Sequence, residues 1–103
     1  MHFKQNKIEC GESMYYVYVL KSVKIGELYI GQTNDLKRRL VEHNNGKNVS
    51  TKHKAPFQLV YYEAYKAKAD AKHREDMLKR FSAGYKELRK RIKNSLGLQV
   101  EGR

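Results

Sequence analysis

Arg39, His43 and Glu75 are reactive side chains at positions where an idle polar group would be costly. Arg39 and His43 lie in the stretch Leu36-Lys37-Arg38-Arg39-Leu40-Val41-Glu42-His43, and on a helix they are neighbours one turn apart. At about 100° per residue, both fall within about 60° of the direction of Leu36, with Leu40 about 40° to its other side. Lys37, Arg38 and Glu42 point to the side and back of the same helix. A guanidinium and an imidazole beside an apolar stripe are expensive unless they find partners. They either serve a site or snorkel to the helix rim. Glu75 poses the same question on a later helix, about 40° from the direction of Ala71, whereas Asp76 points about 140° away. A carboxylate on an apolar face is paired or bound to metal. The alternatives are a salt bridge to an arginine such as Arg39 and a metal site.

The elements that must place these residues are legible from composition. Tyr15-Tyr16-Val17-Tyr18-Val19-Leu20 is aromatic and β-branched throughout, the pattern of a strand buried on both faces. A turn at Val23-Lys24-Ile25-Gly26-Glu27 returns the chain into a second strand, Leu28 to Gly31, forming a hairpin. Asn34 and Asp35 are cap residues for the helix carrying Arg39 and His43, and Asn44-Asn45-Gly46 stops it. Lys47 to Pro56 is polar and basic and reads as a surface loop. Phe57 to Tyr65 reads as a third, central strand, with Phe57, Leu59 and Tyr61 on one face and Val60 and Tyr62 on the other. A second helix is expected over 69–81 and a last one from Ser82 to about Asn94, striped by Tyr85, Leu88 and Ile92. Residues 1–13 read as a loose tail, 14–94 as one domain and 95–103 as a frayed end.

Composition narrows the partner. Lys and Arg number 22 against 11 Asp and Glu, a formal charge of +11 and a pI near 9.8. Lys66 to Lys93 holds eleven of the basic residues and four acids, and Lys37 to Lys54 holds six against Glu42 alone. Two basic segments in so small a domain favour a polyanion groove over a merely solvated face. The single cysteine, Cys10, excludes an internal disulfide and a cysteine-rich zinc site. No apolar run approaches the ~20 residues needed to cross a bilayer, and the N-terminus lacks the apolar core of a signal peptide, so the expected location is the cytoplasm. Tyrosines in strands are by default core packing, and Tyr18 and Tyr29 carry that default reading.

Taken in order, these pieces resemble the GIY-YIG endonuclease superfamily. The resemblance rests on Val17-Tyr18-Val19-Leu20, Leu28-Tyr29-Ile30-Gly31, and Asn34-Asp35-Leu36 followed by Arg39-Leu40 and His43. Thr51 through Leu59-Val60-Tyr61-Tyr62-Glu63, and then Arg74-Glu75, continue it. It covers roughly Met14 to Lys93 and is similar to small stand-alone bacterial members, akin to the catalytic module of the UvrC incision subunit. It implies an α+β fold, a three-stranded antiparallel sheet flanked by helices in β-β-α-β-α-α order. It also implies metal-dependent hydrolysis of DNA phosphodiesters in repair or recombination, with one divalent ion, Mg²⁺ or Mn²⁺. By position, Tyr18 and Tyr29 match the family's paired tyrosines, Arg39 its arginine and Glu75 its metal ligand. His43 stands where members have histidine or tyrosine. One inward carboxylate suits a Mg²⁺ that keeps most of its waters, and a two-metal scheme would need more acids.

Tyr18 is assigned as general base, its phenol lowered by nearby positive charge, with Tyr29 positioning water or phosphate; the reverse assignment stays open. Gly31, Lys37, Arg38, Lys47, Lys52, Lys54, Lys79 and Arg80 are the expected nucleic-acid contacts. DNA is the expected partner with RNA as the alternative, the chain acting as a monomer with a protein partner able to add specificity. The competing function is a non-catalytic nucleic-acid-binding module on the same basic surface. The chain departs from the family pattern in three places: Tyr16-Val17-Tyr18 lacks the family's first glycine, Gln32 stands where members often carry lysine, and the asparagine that many larger members place late in the domain has no match.

Overall fold

The structure, a computed structural model, describes residues 13–80 and 82–97. Residues 1–12 of the tail expected over 1–13, Cys10 among them, the Phe81 end of the second helix and the last six residues lie outside them. Strands β1 (Tyr15–Ser22) and β2 (Leu28–Thr33) form a hairpin, followed by helix α1 (Leu36–Asn44). A short 3-10 turn, Lys52–Lys54, precedes β3 (Phe57–Tyr65), and helices α2 (Lys68–Arg80) and α3 (Ser82–Arg91) complete the fold. The sheet is antiparallel with order β2-β1-β3, an α+β arrangement in the expected element order.

The hairpin turns at Gly26, whose φ of 79° is left-handed and suits glycine. Asp35 caps α1 by accepting from the Arg38 amide, and Gly46, at φ 75°, ends the turn after it. The central strand is β1, and Val17, Tyr18, Val19 and Leu20 are each 1% exposed. β3 is an edge strand, which corrects its reading as central. Its apolar character on both faces has another source: Val19 pairs with Tyr61 while Leu20 pairs with Leu59, so Val60 is an extra, unpaired residue. That bulge reverses the alternation. Phe57 and Leu59 pack with Tyr18 and Leu20 on the α1 side. Tyr61 and Tyr65 pack on the α2 and α3 side with Val17, Val19, Ala71 and Leu78. Tyr61 therefore faces away from Leu59 rather than with it.

The core is thus split by the sheet into two clusters, one under α1 and one under α2 and α3. Leu96, which the sequence places in the C-terminal end region, is buried in the second cluster at 2% exposure. Its carbonyl accepts from Lys21 Nζ at 2.6 Å, fastening the chain beyond α3 to β1.

Candidate active site

The α1 face of the hairpin gathers the reactive residues. In the β1–β2 register Tyr18 lies opposite Gly31 and Leu20 opposite Tyr29, so both phenols rise from the same face. Gly31 is needed there for space: a Cβ at this position would collide with the Tyr18 hydroxyl and ring. The backbone of β2 can approach Tyr18 only because residue 31 has no side chain. Helix α1 then lays His43 and Arg39 onto this surface. The His43 ring is completely buried, edge-on to Tyr29 at 4.8 Å and to Phe57 at 5.7 Å between centroids.

A single hydrogen-bond chain runs through the cluster. Thr51, 3% exposed, sends its hydroxyl to the Asn48 carbonyl at 3.4 Å, and its Oγ1 lies 3.0 Å from His43 Nδ1. With the Thr51 hydrogen committed, Nδ1 carries the imidazole hydrogen and donates it to Thr51. Nε2 then keeps its lone pair and accepts from the Tyr18 hydroxyl at 3.2 Å. The Tyr18 oxygen in turn accepts from Arg39 Nε at 3.3 Å. This is the assignment in which every buried hydroxyl hydrogen finds an acceptor. The opposite tautomer would aim two donors at Tyr18 and strand its own hydrogen.

Arg39 is held from two sides, by Tyr18 through Nε and by Glu42 through Nη1 at 3.0 Å. A guanidinium has five N–H groups. The rest of the Arg39 fork has no partner among the described residues and is partly exposed. Arg39 therefore combines a fixed orientation with unspent donors.

Charges here follow burial. Desolvation pushes the Tyr18 phenol above its ordinary value, and the Arg39 hydrogen bond only partly offsets this. This corrects the expected downward shift: the phenol is too deeply buried for one guanidinium to win, and His43 adds no charge. The imidazole is pushed below its ordinary value by burial and then by Arg39, against a smaller opposing pull from Glu42. Burial works against charge on Arg39, yet its bonds to Tyr18 and Glu42 prevail and hold it firmly protonated.

Glu75 approaches from α2, near enough for its charge to act on Tyr18. Its side chain is 14% exposed, against 41% for the neighbouring Asp76, as the helical angle implies. Its partner is Lys79, at 2.9 Å, and not an arginine; Arg39 is paired with Glu42 instead. Lys79 also stands 5.9 Å from the centroid of the Tyr29 ring. Among the described residues no group of three or more His, Cys, Asp or Glu side chains converges on one point. The donor set fits one hydrated divalent ion on a single carboxylate, and does not fit a dehydrated protein cage.

An open cleft of about 430 Å³ lies beside the cluster, lined by Leu28, Tyr29, Ile30, Lys79, Arg80 and Tyr85 among others. It brings Tyr29, Lys79 and Arg80 together. Lys37, Arg38 and Lys47 line a separate hollow on α1, where Arg38 is engaged by Glu42 and Asn34. Lys52 and Lys54 sit in the 3-10 turn, Lys54 paired with Glu27 at 2.9 Å. Thr51 and Glu42 join the site without being expected from the sequence, and Tyr85, expected only in an apolar stripe, lines the cleft. Glu42 carried a signal, since it follows Arg39 by three residues on one helix. Thr51 lies in an irregular polar loop with no period to mark it.

Comparison with known proteins gives consistent results. A model of the GIY-YIG catalytic domain matches residues 14–90. A UPF0213 protein of Staphylococcus saprophyticus is 42% identical over 69 residues, covering 66% of this chain and 83% of its own. A UPF0213 protein of Bacillus pumilus is 40% identical over 75 residues, covering 72% of this chain and 76% of its own. The solution NMR structure of a UPF0213 protein of Bacillus halodurans is 31% identical, with a TM-score of 0.49 over 87% of this chain and 99% of that one.

Proposed function

This chain belongs to the GIY-YIG catalytic domain family, and from that premise we propose that it hydrolyses DNA phosphodiester bonds with one divalent metal ion. The observation that carries the reading is Arg39. It is clamped by Tyr18 and Glu42 yet keeps free N–H donors at a partly exposed rim, beside the inward carboxylate of Glu75. A binding module has no use for a half-buried acid next to phosphate, because the acid repels it.

Each residue then has a physical task. The free donors of Arg39 grip the non-bridging oxygens of the scissile phosphate and strengthen as charge grows on them. Glu75 would hold the divalent ion, Mg²⁺ or Mn²⁺, which supplies positive charge for the phosphate and the departing oxygen. Tyr29 borders the open cleft, so it is the phenol that meets the attacking water. Tyr18 is 1% exposed, with its oxygen already engaged by Arg39 and His43, which favours the reverse of the initial base assignment. Its task is to orient Arg39. His43 and Thr51 hold Tyr18 in turn, and neutral His43 adds no charge to repel Arg39. Lys79 and Arg80 in the cleft, with Lys37, Arg38, Lys47, Lys52 and Lys54, supply backbone contacts that position without reading sequence. Among the described residues no helix is long and apolar enough to cross a membrane.

The test is a cleavage screen over duplex, nicked, branched and single-stranded DNA, and over RNA, in Mg²⁺ or Mn²⁺. Glu75→Gln is the control. Metal-dependent cleavage lost in a folded Glu75→Gln supports the reading. Undiminished turnover by that variant, or nucleic-acid binding with no cleavage of any substrate, would overturn it.

A further inference from the structure

Helix α2 carries two ion pairs at the same i, i+4 spacing, and they differ in setting. Lys72 and Asp76 are 3.6 Å apart with both side chains well exposed, a pair that water screens and that contributes little. Lys79 and Glu75 are 2.9 Å apart, with the carboxylate withdrawn to 14% exposure. Among the described residues, Lys79 is the sole cation ion-paired with Glu75, and Glu75 the sole acid ion-paired with Lys79. The ammonium also lies 5.9 Å from the centre of the Tyr29 ring and lines the open cleft. The lysine stem is long and mobile, while the carboxylate is held close to the helix.

These positions create a conflict. The carboxylate oxygen bonded to Lys79 is half of the donor capacity that a metal ion would need. An ammonium beside a divalent cation is also repelled by it. We propose that Lys79 is a built-in counter-ion: it neutralises Glu75 until a divalent ion takes the carboxylate over, and the released ammonium then grips the nucleic-acid backbone in the cleft. Metal and nucleic acid thereby bind cooperatively through one side chain. This rests on Glu75 being the metal ligand, as proposed above. Coupling between two ligands is reciprocal, so the same factor must appear whichever of the two is added first.

The experiment uses Mn²⁺ and a fluorescein-labelled DNA duplex. Calorimetric titration of Mn²⁺ into the DNA-free protein compares the native chain with Lys79→Met, which keeps an apolar stem against Tyr29. Loss of the competing ammonium should tighten Mn²⁺ binding roughly two- to fivefold, the range set by a partly screened ion pair. Lys72→Met, on the same helix, should leave Mn²⁺ affinity unchanged. Anisotropy of the duplex is then read with and without Mn²⁺ in an Arg39→Ala background, to slow cleavage. The gain in DNA affinity caused by Mn²⁺ should shrink in Lys79→Met Arg39→Ala by at least the factor seen for Mn²⁺ alone. Equal Mn²⁺ affinities in the native chain and Lys79→Met, an equal increase in Lys72→Met, or an unchanged gain would each overturn the proposal while leaving Glu75 as the ligand. Native-like Mn²⁺ affinity in Glu75→Gln would instead remove the metal assignment itself, and this proposal with it.

Discussion

Two polar clusters lie on opposite faces of the same three strands, and they use their hydrogen bonds differently. On the α2 side, the Glu63 carboxylate accepts from the Tyr61 hydroxyl at 2.6 Å, from Tyr65, and from Arg74 through both Nε and Nη2 at 2.9 and 3.0 Å. Every strong acceptor direction is taken. Burial alone would raise this carboxyl, but the bonds from Arg74, Tyr61 and Tyr65 outweigh it and hold the group ionised. Tyr65 is pushed up to about 12, first by burial and then by its bond to Glu63. The Glu63 carboxylate has no acceptor left to offer a ligand, and the Arg74 charge is met by that carboxylate through two bonds. On the α1 side, Tyr18, His43 and Thr51 are more deeply buried and likewise bonded to each other, and the chain ends in Arg39 with donors to spare. The first network saturates its carboxylate and so ties the edge of β3 to α2; the second has no acid at its centre and holds Arg39 through a phenol. What marks the site is which group the network holds, and the number of buried polar residues alone does not.

The largest effects should separate the two clusters by kind. Arg39→Ala should lower the cleavage rate by about 10²–10³-fold, as loss of a transition-state donor does, while the melting temperature barely moves. A matched loss of melting temperature and activity would place Arg39 in the structural class. Arg74→Gln should do the reverse. It leaves a half-buried carboxylate short of its main donor, and chemical denaturation should show a loss of about 2–3 kcal/mol. Surviving folded protein should cleave DNA, and an unaltered denaturation midpoint would show that the Glu63 cluster is dispensable.

A subtler distinction comes from pH. His43 is neutral in the fold because its pKa is depressed, whereas in the unfolded chain it protonates near its ordinary value of about 6.5. The unfolded state therefore takes up more protons as pH falls below that value, and stability is lost from there down through the lower folded pKa. Melting curves across this window should show the decline, and His43→Gln should flatten that part of the profile. Glu63 contributes in the same direction but at lower pH, since its folded pKa is also depressed from the ordinary carboxylate range. The smallest effect belongs to the rim. Arg38→Ala removes an exposed arginine already shared with Glu42 and Asn34. It should weaken duplex binding severalfold, leave the cleavage rate intact, and reduce the slope of log K against log salt by about 1. A loss of rate as large as that of Arg39→Ala would dissolve the difference between neighbouring arginines.

Local signals carried most of the architecture. The caps of α1, the glycine turn of the hairpin and the aromatic run of β1 each act within a few residues, and each appears where the pattern implies. Helical angle was enough to separate Glu75 from Asp76 by exposure, and His43 from the outer face of α1. What failed was non-local. β3 reads as the central strand because its apolar residues alternate onto both faces, but a bulge at Val60 and the Glu63 cluster produce the same pattern at an edge. Lys79 as the partner of Glu75 was available from the i, i+4 spacing, yet Arg39 was the more conspicuous cation. The direction of the Tyr18 shift depends on how completely the α1-side core encloses it, which a linear sequence does not record.

The unpaired residue in β3 has a consequence for how the chain tolerates insertions and deletions. Ahead of Val60, alternate residues serve the α1 side; beyond it, the same parity serves the α2 side. The strand behaves like a message with a deliberate frameshift, in which one added letter directs two halves to different recipients. Deleting that letter would leave Tyr61, Glu63 and Tyr65 on the α2 side, whereas admitting it to the ladder as an ordinary rung would carry all three onto the face of Tyr18 and His43 without changing a single side chain. The address of each side chain in this strand is set by counting, and the count turns on a valine that forms no rung of the ladder.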